Sequence, residues 1–157
     1  MTESDKAQVK MPGTPKPWMN ATMRALLRTP GLRGWLGKSF AVITVTGSKT
    51  GNQFSTPVQY MKLDGHYVVL SQTARKWWRN IRTRPHVELL VAGTVVPAQA
   101  TIVKSHAATE LLAACLAGNP RVAKFYGLRP NSAGEFDAAH VEPLLERVVV
   151  IDISPDT

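Results

Sequence analysis

The dipeptide Asp64-Gly65 constrains the fold of this chain most, because it lies between two apolar runs that are rich in β-branched residues. Asp-Gly favours a two-residue type I′ turn, whose twist matches that of paired strands. The flanking runs cover residues 54–63 and 66–71, so the sequence predicts an antiparallel hairpin. Pro57 removes one backbone donor from the first strand, which predicts an edge position or a bulge at that point.

Four further apolar runs predict four more strands, at residues 40–46, 86–92, 95–103 and 147–153. The second and third of these would form another hairpin, about Gly93-Thr94. Strands that are linked by hairpins in this way can close into a small antiparallel barrel. The predicted class is therefore mainly β with helices (α+β).

Short helical segments are predicted between and after the strands. Thr73 can cap a helix over residues 74–84, which Pro85 would end. Ala and Leu dominate residues 107–117, which predicts a second helix. Shorter helical turns are predicted through Phe125-Tyr126 and within residues 135–145.

The N-terminal part of the chain predicts a tail and one amphipathic helix. Residues 1–16 are polar, and we expect a disordered tail ahead of a single domain over residues 17–157. Apolar residues recur at helical spacing in residues 17–28. The basic, Trp-bearing face of this helix has two interpretations: it covers one end of the barrel, or residues 17–38 contact a membrane surface peripherally.

Composition restricts the classes of function that the chain can have. Cys115 is the only cysteine, so an intramolecular disulfide is excluded and a reducing cytoplasm is expected. The four histidines show no ligand spacing, so no metal site is predicted. The net charge is +8, and residues 1–104 carry 15 basic but only 4 acidic side chains. No nucleic-acid-binding motif accompanies this charge, and a small polyanionic ligand explains a local cluster of cations equally well.

The stretch over residues 46–80 concentrates the groups that could bind such a ligand. It begins with the turn Gly47-Ser48-Lys49-Thr50-Gly51, whose amides, hydroxyls and lysine could hold an anion. It ends with Arg75-Lys76-Trp77-Trp78-Arg79-Asn80, which combines cations with flat indole rings. The turn is not a phosphate-binding loop of the Walker type, because it leads into a strand and not into a helix.

A hydrolytic site is disfavoured by the strand pattern. Ser71, His66 and Asp64 are close in sequence, but on one strand Ser71 and His66 face opposite sides. No nucleophile-elbow context accompanies them.

The order TxxGxKTGxxxxTPVxY, then Asp-Gly, a strand, and WWRN resembles the deazaflavin-dependent nitroreductase and quinone reductase family of actinobacteria. The resemblance extends from the N-terminal helix to the last strand. It implies a split β-barrel related to FMN-binding oxidoreductases, and it implies binding of coenzyme F420, a phosphate-bearing deazaflavin. A polyanion joined to a flat ring suits a cationic turn beside indoles.

The resemblance also implies roles for individual residues. Lys49 and the amides of Thr50 and Gly51 would hold the phosphate, and backbone groups of residues 56–58 would line the ring. The full implied cofactor set is Ser48, Lys49, Thr50, Gly51, Phe54, Thr56, Pro57, Val58, Ser71, Arg75, Lys76, Trp77, Arg79 and Asn80. Trp18 and Tyr126 would contact the substrate, and Ser71, Tyr60 or Tyr126 could polarise the acceptor or deliver a proton.

The chain departs from the family pattern in two places. Many members carry an arginine where this chain has Phe54, and a Gly-Gly loop where it has Gln72-Thr73-Ala74. Three alternatives follow: Arg75, Lys76 or Arg79 replaces the missing charge, the affinity for the cofactor is weaker, or a different ligand binds.

The predicted activity is an oxidoreductase that transfers hydride from reduced F420 to electron-poor acceptors such as enones, quinones and nitro-compounds. The alternatives are a flavin- or lipid-binding split barrel without turnover, with FMN as the other cofactor, and a basic surface-binding module. A monomer or a homodimer fits the sequence.

Overall fold

The computed structural model describes residues 40–157, and the predicted tail, the predicted N-terminal helix and Trp18 lie outside this range. Six strands alternate with short helices. The strands are β1 (Phe40–Thr46), β2 (Gln53–Leu63), β3 (His66–Gln72), β4 (His86–Val91), β5 (Thr94–Val103) and β6 (Val148–Pro155). All six predicted strands are confirmed, and their observed ends lie within two residues of the predicted ones.

The strands form a closed barrel in the order β1-β2-β3-β6-β5-β4, and every pairing is antiparallel. β6 lies between β3 and β5, where Val69 and Ile102 are both paired with Ile151. The hairpin at Asp64-Gly65 is confirmed, with both residues at positive φ (51° and 82°). The mainly β barrel class predicted from the sequence is therefore confirmed.

Alternate residues of each strand point into the barrel, because side chains along a strand alternate between its two faces. The barrel interior is filled by β-branched, leucine, tyrosine and alanine side chains, including Ile43, Tyr60, Val69, Leu89 and Ile151. A second apolar cluster on the outside joins Met61, Val68 and Val150 to the helices. The barrel thus has a packed interior and one helix-covered side.

The α-helices follow β5 and lie on this side. They are α1 (Ser105–Ala117), α2 (Pro120–Phe125) and α3 (Ala138–Val141), and a 3-10 helix at Glu142–Glu146 leads into β6. Leu112 and Leu116 of α1 are fully buried against the outer cluster. Within the part of the chain that the structure describes, no helix is long and apolar enough to cross a membrane.

The predicted helix over residues 74–84 is wrong in length and in type. A 3-10 helix covers Trp77–Arg82 instead. Thr73 does not cap it: its backbone N–H and its hydroxyl both donate to the carbonyl oxygen of Arg147, at 3.1 and 3.3 Å. The segment before Trp77 is therefore fixed to the start of β6, and only a tight turn remains for the helix.

β2 and β3 are paired over only part of their length. Their ladder runs from the turn to Tyr60↔Val69 and stops there, whereas β2 continues to pair with β1 as far as Thr46↔Gln53. Pro57 lies in this half-paired section, opposite Val42 of β1, which confirms the predicted edge position. We call the unpaired section between residues 53–59 of β2 and residues 70–72 of β3 the β2–β3 opening.

Candidate active site

The turn between β1 and β2 is held together by its own backbone and side chains. Gly47 N–H donates to Asn52 O at 2.7 Å, and Gly51 N–H donates to Gly47 O at 3.0 Å. Thr50 Oγ1 accepts from Asn52 N–H at 3.2 Å. Among the described residues, the amides of Lys49 and Thr50 have no such partner. Both residues are exposed, so these amides are available to an anion.

Asn80 connects this turn to the aromatic segment. Its side-chain Oδ1 accepts from Ser48 N–H at 2.9 Å, and its Nδ2 donates to Trp77 O at 3.0 Å. Each bond uses a different end of the same amide group. The two halves of the stretch over residues 46–80 are thus brought together at one end of the barrel.

Arg75 crosses the β2–β3 opening from the segment that follows β3. Its Nη2 donates to Thr56 Oγ1 of β2 at 3.2 Å, and the arginine is only 9% exposed. Burial lowers the pKa of the Arg75 guanidinium, because a low-dielectric environment disfavours its charged form. Thr56 is itself buried and lies on the inner face of β2.

The indoles of the 3-10 helix close this end of the barrel. Trp77, Trp78 and Ile81 are buried and pack against the interior cluster. Trp78 Nε1 donates to Gln72 O at 3.3 Å, and the guanidinium groups of Arg79 and Arg82 lie 5.5 and 5.2 Å from the centroid of its ring. Cations therefore stack on the outer side of a ring whose other side belongs to the core.

The three predicted proton donors lie in different places. Ser71 is buried on the inner face of β3, beside the opening, and its only contact within hydrogen-bond range among the described residues is with Gln72 O at 3.4 Å. Tyr60 lies deeper in the barrel, with its ring 5.2 Å from that of Tyr67. Tyr126 packs in the outer, helix-side cluster. Burial raises the pKa of both Tyr60 and Tyr126, so each is a weaker acid than a free phenol.

Other predicted site residues lie at the rim of this end. Phe54 is 41% exposed, and it shares the inner face of β2 with Thr56. Lys49, Lys76 and Arg79 are exposed. Val58 is buried on the inner face, one position beyond Pro57. Three exposed cations and the partly exposed ring of Phe54 therefore lie at the same end of the barrel.

Sequence reasoning missed two residues at this site. Gln72 accepts hydrogen bonds at its carbonyl from Arg75 N–H and from the Trp78 indole. Arg82 stacks on Trp78. Arg82 could have been found from its spacing of four from Trp78, whereas a backbone carbonyl leaves no signal in the sequence.

The structure excludes a hydrolytic site formed by Ser71, His66 and Asp64. His66 Nδ1 lies 2.8 Å from Asp152 Oδ1. Asp152 belongs to β6 and is paired with Val68 of β3, whose side chain points to the outside of the barrel. Ser71 faces the interior. The two side chains are therefore separated by the barrel wall.

Comparison with known protein families gives a match to the family model described as F420H2-dependent quinone reductase, over residues 18–127. This match covers more than half of the chain. The chain belongs to the F420H2-dependent quinone reductase family. As a member of this family it is an F420-dependent reductase, and a small quinone-type molecule fits as its electron acceptor. The matched region includes the turn, Arg75 and the 3-10 helix, and it ends before β6.

Solved structures with the same architecture support the split β-barrel fold. The heme storage protein HutZ from Vibrio cholerae is 13% identical, with a TM-score of 0.56, and covers 83% of this chain and 91% of its own. A candidate pyridoxamine 5′-phosphate oxidase from Listeria innocua is 13% identical, with a TM-score of 0.52 and coverages of 88% and 94%. An FAD-binding protein from Mesorhizobium loti is 14% identical, with a TM-score of 0.51 and coverages of 82% and 91%. No curated protein matches the chain in sequence.

Proposed function

We propose that this F420-dependent reductase binds its cofactor across the β2–β3 opening and reduces electron-poor acceptors, namely quinones, enones or nitro-compounds. The observation that carries the proposal is the unsatisfied hydrogen-bonding capacity of this opening. Arg75 Nε and Trp77 Nε1 are buried without a hydrogen-bond partner among the described residues. Buried donors normally have partners, so an acceptor-bearing ligand is expected there.

The residues present fit a phosphate-bearing deazaflavin. One edge of β2 over residues 53–59 is unpaired, so its backbone groups can line a flat ring, as expected for Thr56, Pro57 and Val58. The free amides of Lys49 and Thr50, together with the Lys49 side chain, suit a phosphate at the rim. The amide of Gly51 is not available to the phosphate, because it donates to Gly47 O within the turn. Gly51 therefore supports the site only through the shape of the turn.

The protein contributes mainly orientation and electrostatics to the reaction. When bound, the reduced cofactor supplies the hydride. Asn80 fixes the turn against the aromatic segment, and Trp77 and Trp78 exclude water from the inner end of the opening. Ser71 stands beside the opening, and its one hydrogen bond, to Gln72 O, is long at 3.4 Å, so its hydroxyl can donate to the acceptor oxygen instead. Tyr60 and Tyr126 remain the other candidates for this role, and Trp18 and Tyr126 remain candidates for contacting the substrate.

Titration of the purified protein with oxidised and reduced F420, followed by a menadione reduction assay, tests this proposal. Saturable binding at micromolar concentration and oxidation of reduced F420 that depends on menadione are expected. Absence of both would contradict it. Replacing menadione by an enone or a nitroaromatic compound in the same assay tests the acceptor class.

FMN is the alternative ligand, and a flavin- or lipid-binding barrel without turnover is the alternative function. An FAD-binding protein shares the fold, which supports testing flavins. A flavin absorbance spectrum in the protein as purified, with no oxidation of reduced F420, would favour this alternative. Mass spectrometry of extracted ligands would separate a flavin from a lipid.

A homodimer is the assembly that we propose to test first. One solved structure of the same architecture is described as a domain-swapped dimer, at 17% identity and a TM-score of 0.51. Light scattering coupled to size-exclusion chromatography distinguishes a dimer from a monomer of 17.2 kDa.

A further inference from the structure

Arg75 is a buried cation without a charged partner among the described residues. The ion pairs in this part of the chain join histidines to acidic side chains, and none involves Arg75. Its one side-chain hydrogen bond goes to the neutral hydroxyl of Thr56, at 3.2 Å. Arginine is rarely buried unless it is paired, because removing its charge from water has a large free-energy cost.

Trp77, two residues further on, also has a buried polar group without a partner among the described residues. Its Nε1 is buried and has no acceptor among the described residues, and neither has Nε of Arg75. Trp78, by contrast, donates to Gln72 O at 3.3 Å. Arginine and tryptophan side chains can only donate hydrogen bonds, so neither can satisfy the other. The missing groups must be acceptors, and a guanidinium favours an acceptor with negative charge.

The position of Arg75 distinguishes it from the other nearby cations. Lys76 is exposed, and Arg79 is exposed with its guanidinium 5.5 Å from the Trp78 ring centroid. Arg75 alone of these three enters the β2–β3 opening. There it reaches Thr56, which is the next residue after Phe54 on the inner face of β2.

We propose that Arg75 binds an anionic oxygen of the ligand in the β2–β3 opening, and that it supplies from the segment after β3 the charge that is absent at Phe54. The proposal rests on the proposed function for the identity of the ligand. Two oxygens of F420 have the required chemistry: a phosphate oxygen and an oxygen of the ring system. Lys76 and Arg79 have no part in this contact.

The test compares Arg75→Met, which keeps an unbranched apolar stem and removes the charge, with Arg75→Lys and with the control Arg84→Met, at an exposed arginine outside the site. Arg75→Met should weaken F420 binding by about tenfold or more, and Arg75→Lys should recover part of the loss. Arg84→Met should stay within about twofold of wild type. Unchanged affinity in Arg75→Met, or an equal loss in Arg84→Met, overturns the assignment.

A second titration identifies the oxygen that Arg75 binds. The probe is 8-hydroxy-5-deazariboflavin, which has the ring but no phosphate. If Arg75→Met loses affinity for F420 alone, the contact is with the phosphate. If it loses affinity equally for both compounds, the contact is with the ring. Either result supports an anion-binding Arg75.

The melting temperature of the ligand-free protein separates binding from a structural role. Removing an uncompensated buried charge should leave the melting temperature of Arg75→Met equal to or above that of wild type. A clear decrease would mean that the guanidinium stabilises the fold, and it would overturn the proposal.

Pyrophosphate provides a readout that does not depend on F420. It should raise the melting temperature of wild type, but not that of Arg75→Met. If wild type binds neither deazaflavin, the proposed function fails. In that case, a rise in melting temperature with pyrophosphate that is seen in wild type but not in Arg75→Met supports the assignment of Arg75 as an anion-binding residue. If pyrophosphate has no such effect, the assignment is overturned.

Discussion

The backbone N–H of Ser48 donates a hydrogen bond of 2.9 Å to the side-chain Oδ1 of Asn80, which is 32 residues away in the chain. This bond joins the cationic turn to the 3-10 helix that closes the barrel. Because the same amide group also donates to Trp77 O, Asn80 sets the orientation of both parts. The relative position of turn and indoles therefore depends on one side chain.

Replacing Asn80 should thus weaken both cofactor binding and the stability of the fold. Asn80→Ala removes both bonds, and we expect a loss of about 1–2 kcal/mol in the free energy of unfolding and a roughly tenfold weaker F420 affinity. Asn80→Asp keeps an acceptor for Ser48, but it sets a carboxylate oxygen against Trp77 O and a negative charge beside the anion-binding turn, so it should weaken binding as well. Urea unfolding and fluorescence titration measure the two effects. Equal affinities for wild type and Asn80→Ala would show that the turn does not need this bond.

Lys49→Ala should weaken F420 binding without changing stability. Lys49 is exposed in the turn and makes no ion pair among the described residues, so the fold does not depend on it. We expect a loss of affinity of about fivefold or more and an unchanged melting temperature. Lys124→Ala, at an exposed position of α2, is the control for a general effect of net charge. A similar loss in both variants would remove the phosphate role of Lys49.

Ser71→Ala should reduce turnover more than either tyrosine variant does. Its hydroxyl makes only a weak contact with Gln72 O at 3.4 Å, so the free energy of unfolding should change little. If the hydroxyl donates to the acceptor, kcat should fall by about 100-fold while the Kd for F420 stays constant. Tyr60→Phe and Tyr126→Phe should lower kcat less than about threefold. A larger decrease in Tyr126→Phe would transfer the role to that residue.

Gly51→Ala tests whether the conformation of the turn matters. Gly51 has a φ of +75°, and no atom lies within 4 Å of an added Cβ, so the variant introduces conformational strain without a clash. We expect a loss of about 1 kcal/mol in the free energy of unfolding. Gly118→Ala is the matched control, because its φ is −86° and its Cβ would make an ordinary contact at 3.8 Å. Equal stability of the two variants would contradict the prediction.

Stability should fall at alkaline pH because of Cys115. Burial, with a smaller contribution from Asp152, raises the pKa of this thiol from 9.0 to about 11. The unfolded chain thus loses the proton at lower pH than the folded chain, and stability decreases as pH rises from about 9 to 11. The loss for this group is on the order of 2 kcal/mol. Cys115→Ala should show a shallower decrease over this range in urea titrations. Identical slopes for both proteins would assign the effect to other groups.

Local sequence signals predicted the strands well. The Asp64-Gly65 turn and the β-branched runs carry their own conformational preference, and the observed strands follow them. Pro57 marked the half-paired section of β2, because a residue without an N–H is tolerated best where no ladder bond is needed.

Long-range contacts explain what the sequence did not predict. The composition of residues 74–84 favours a helix, but Thr73 is bound to Arg147, a residue 74 positions away, and the helix shortens to Trp77–Arg82. In the same way, three neighbouring cations were equivalent candidates in the sequence. Only the separation of β2 from β3 gives Arg75 an interior position that Lys76 and Arg79 do not have.

The position of β6 in the barrel determines when the barrel can close as the chain is synthesised. β6 fills the gap between β3 and β5, so the barrel cannot close before Val148–Pro155 has left the ribosome. Until then a nascent chain that has paired its earlier strands exposes two unpaired edges, at β3 and at β5, and such edges promote association between chains. Chaperones that bind extended apolar segments are therefore expected to occupy this gap during translation, and their release should coincide with insertion of the last strand.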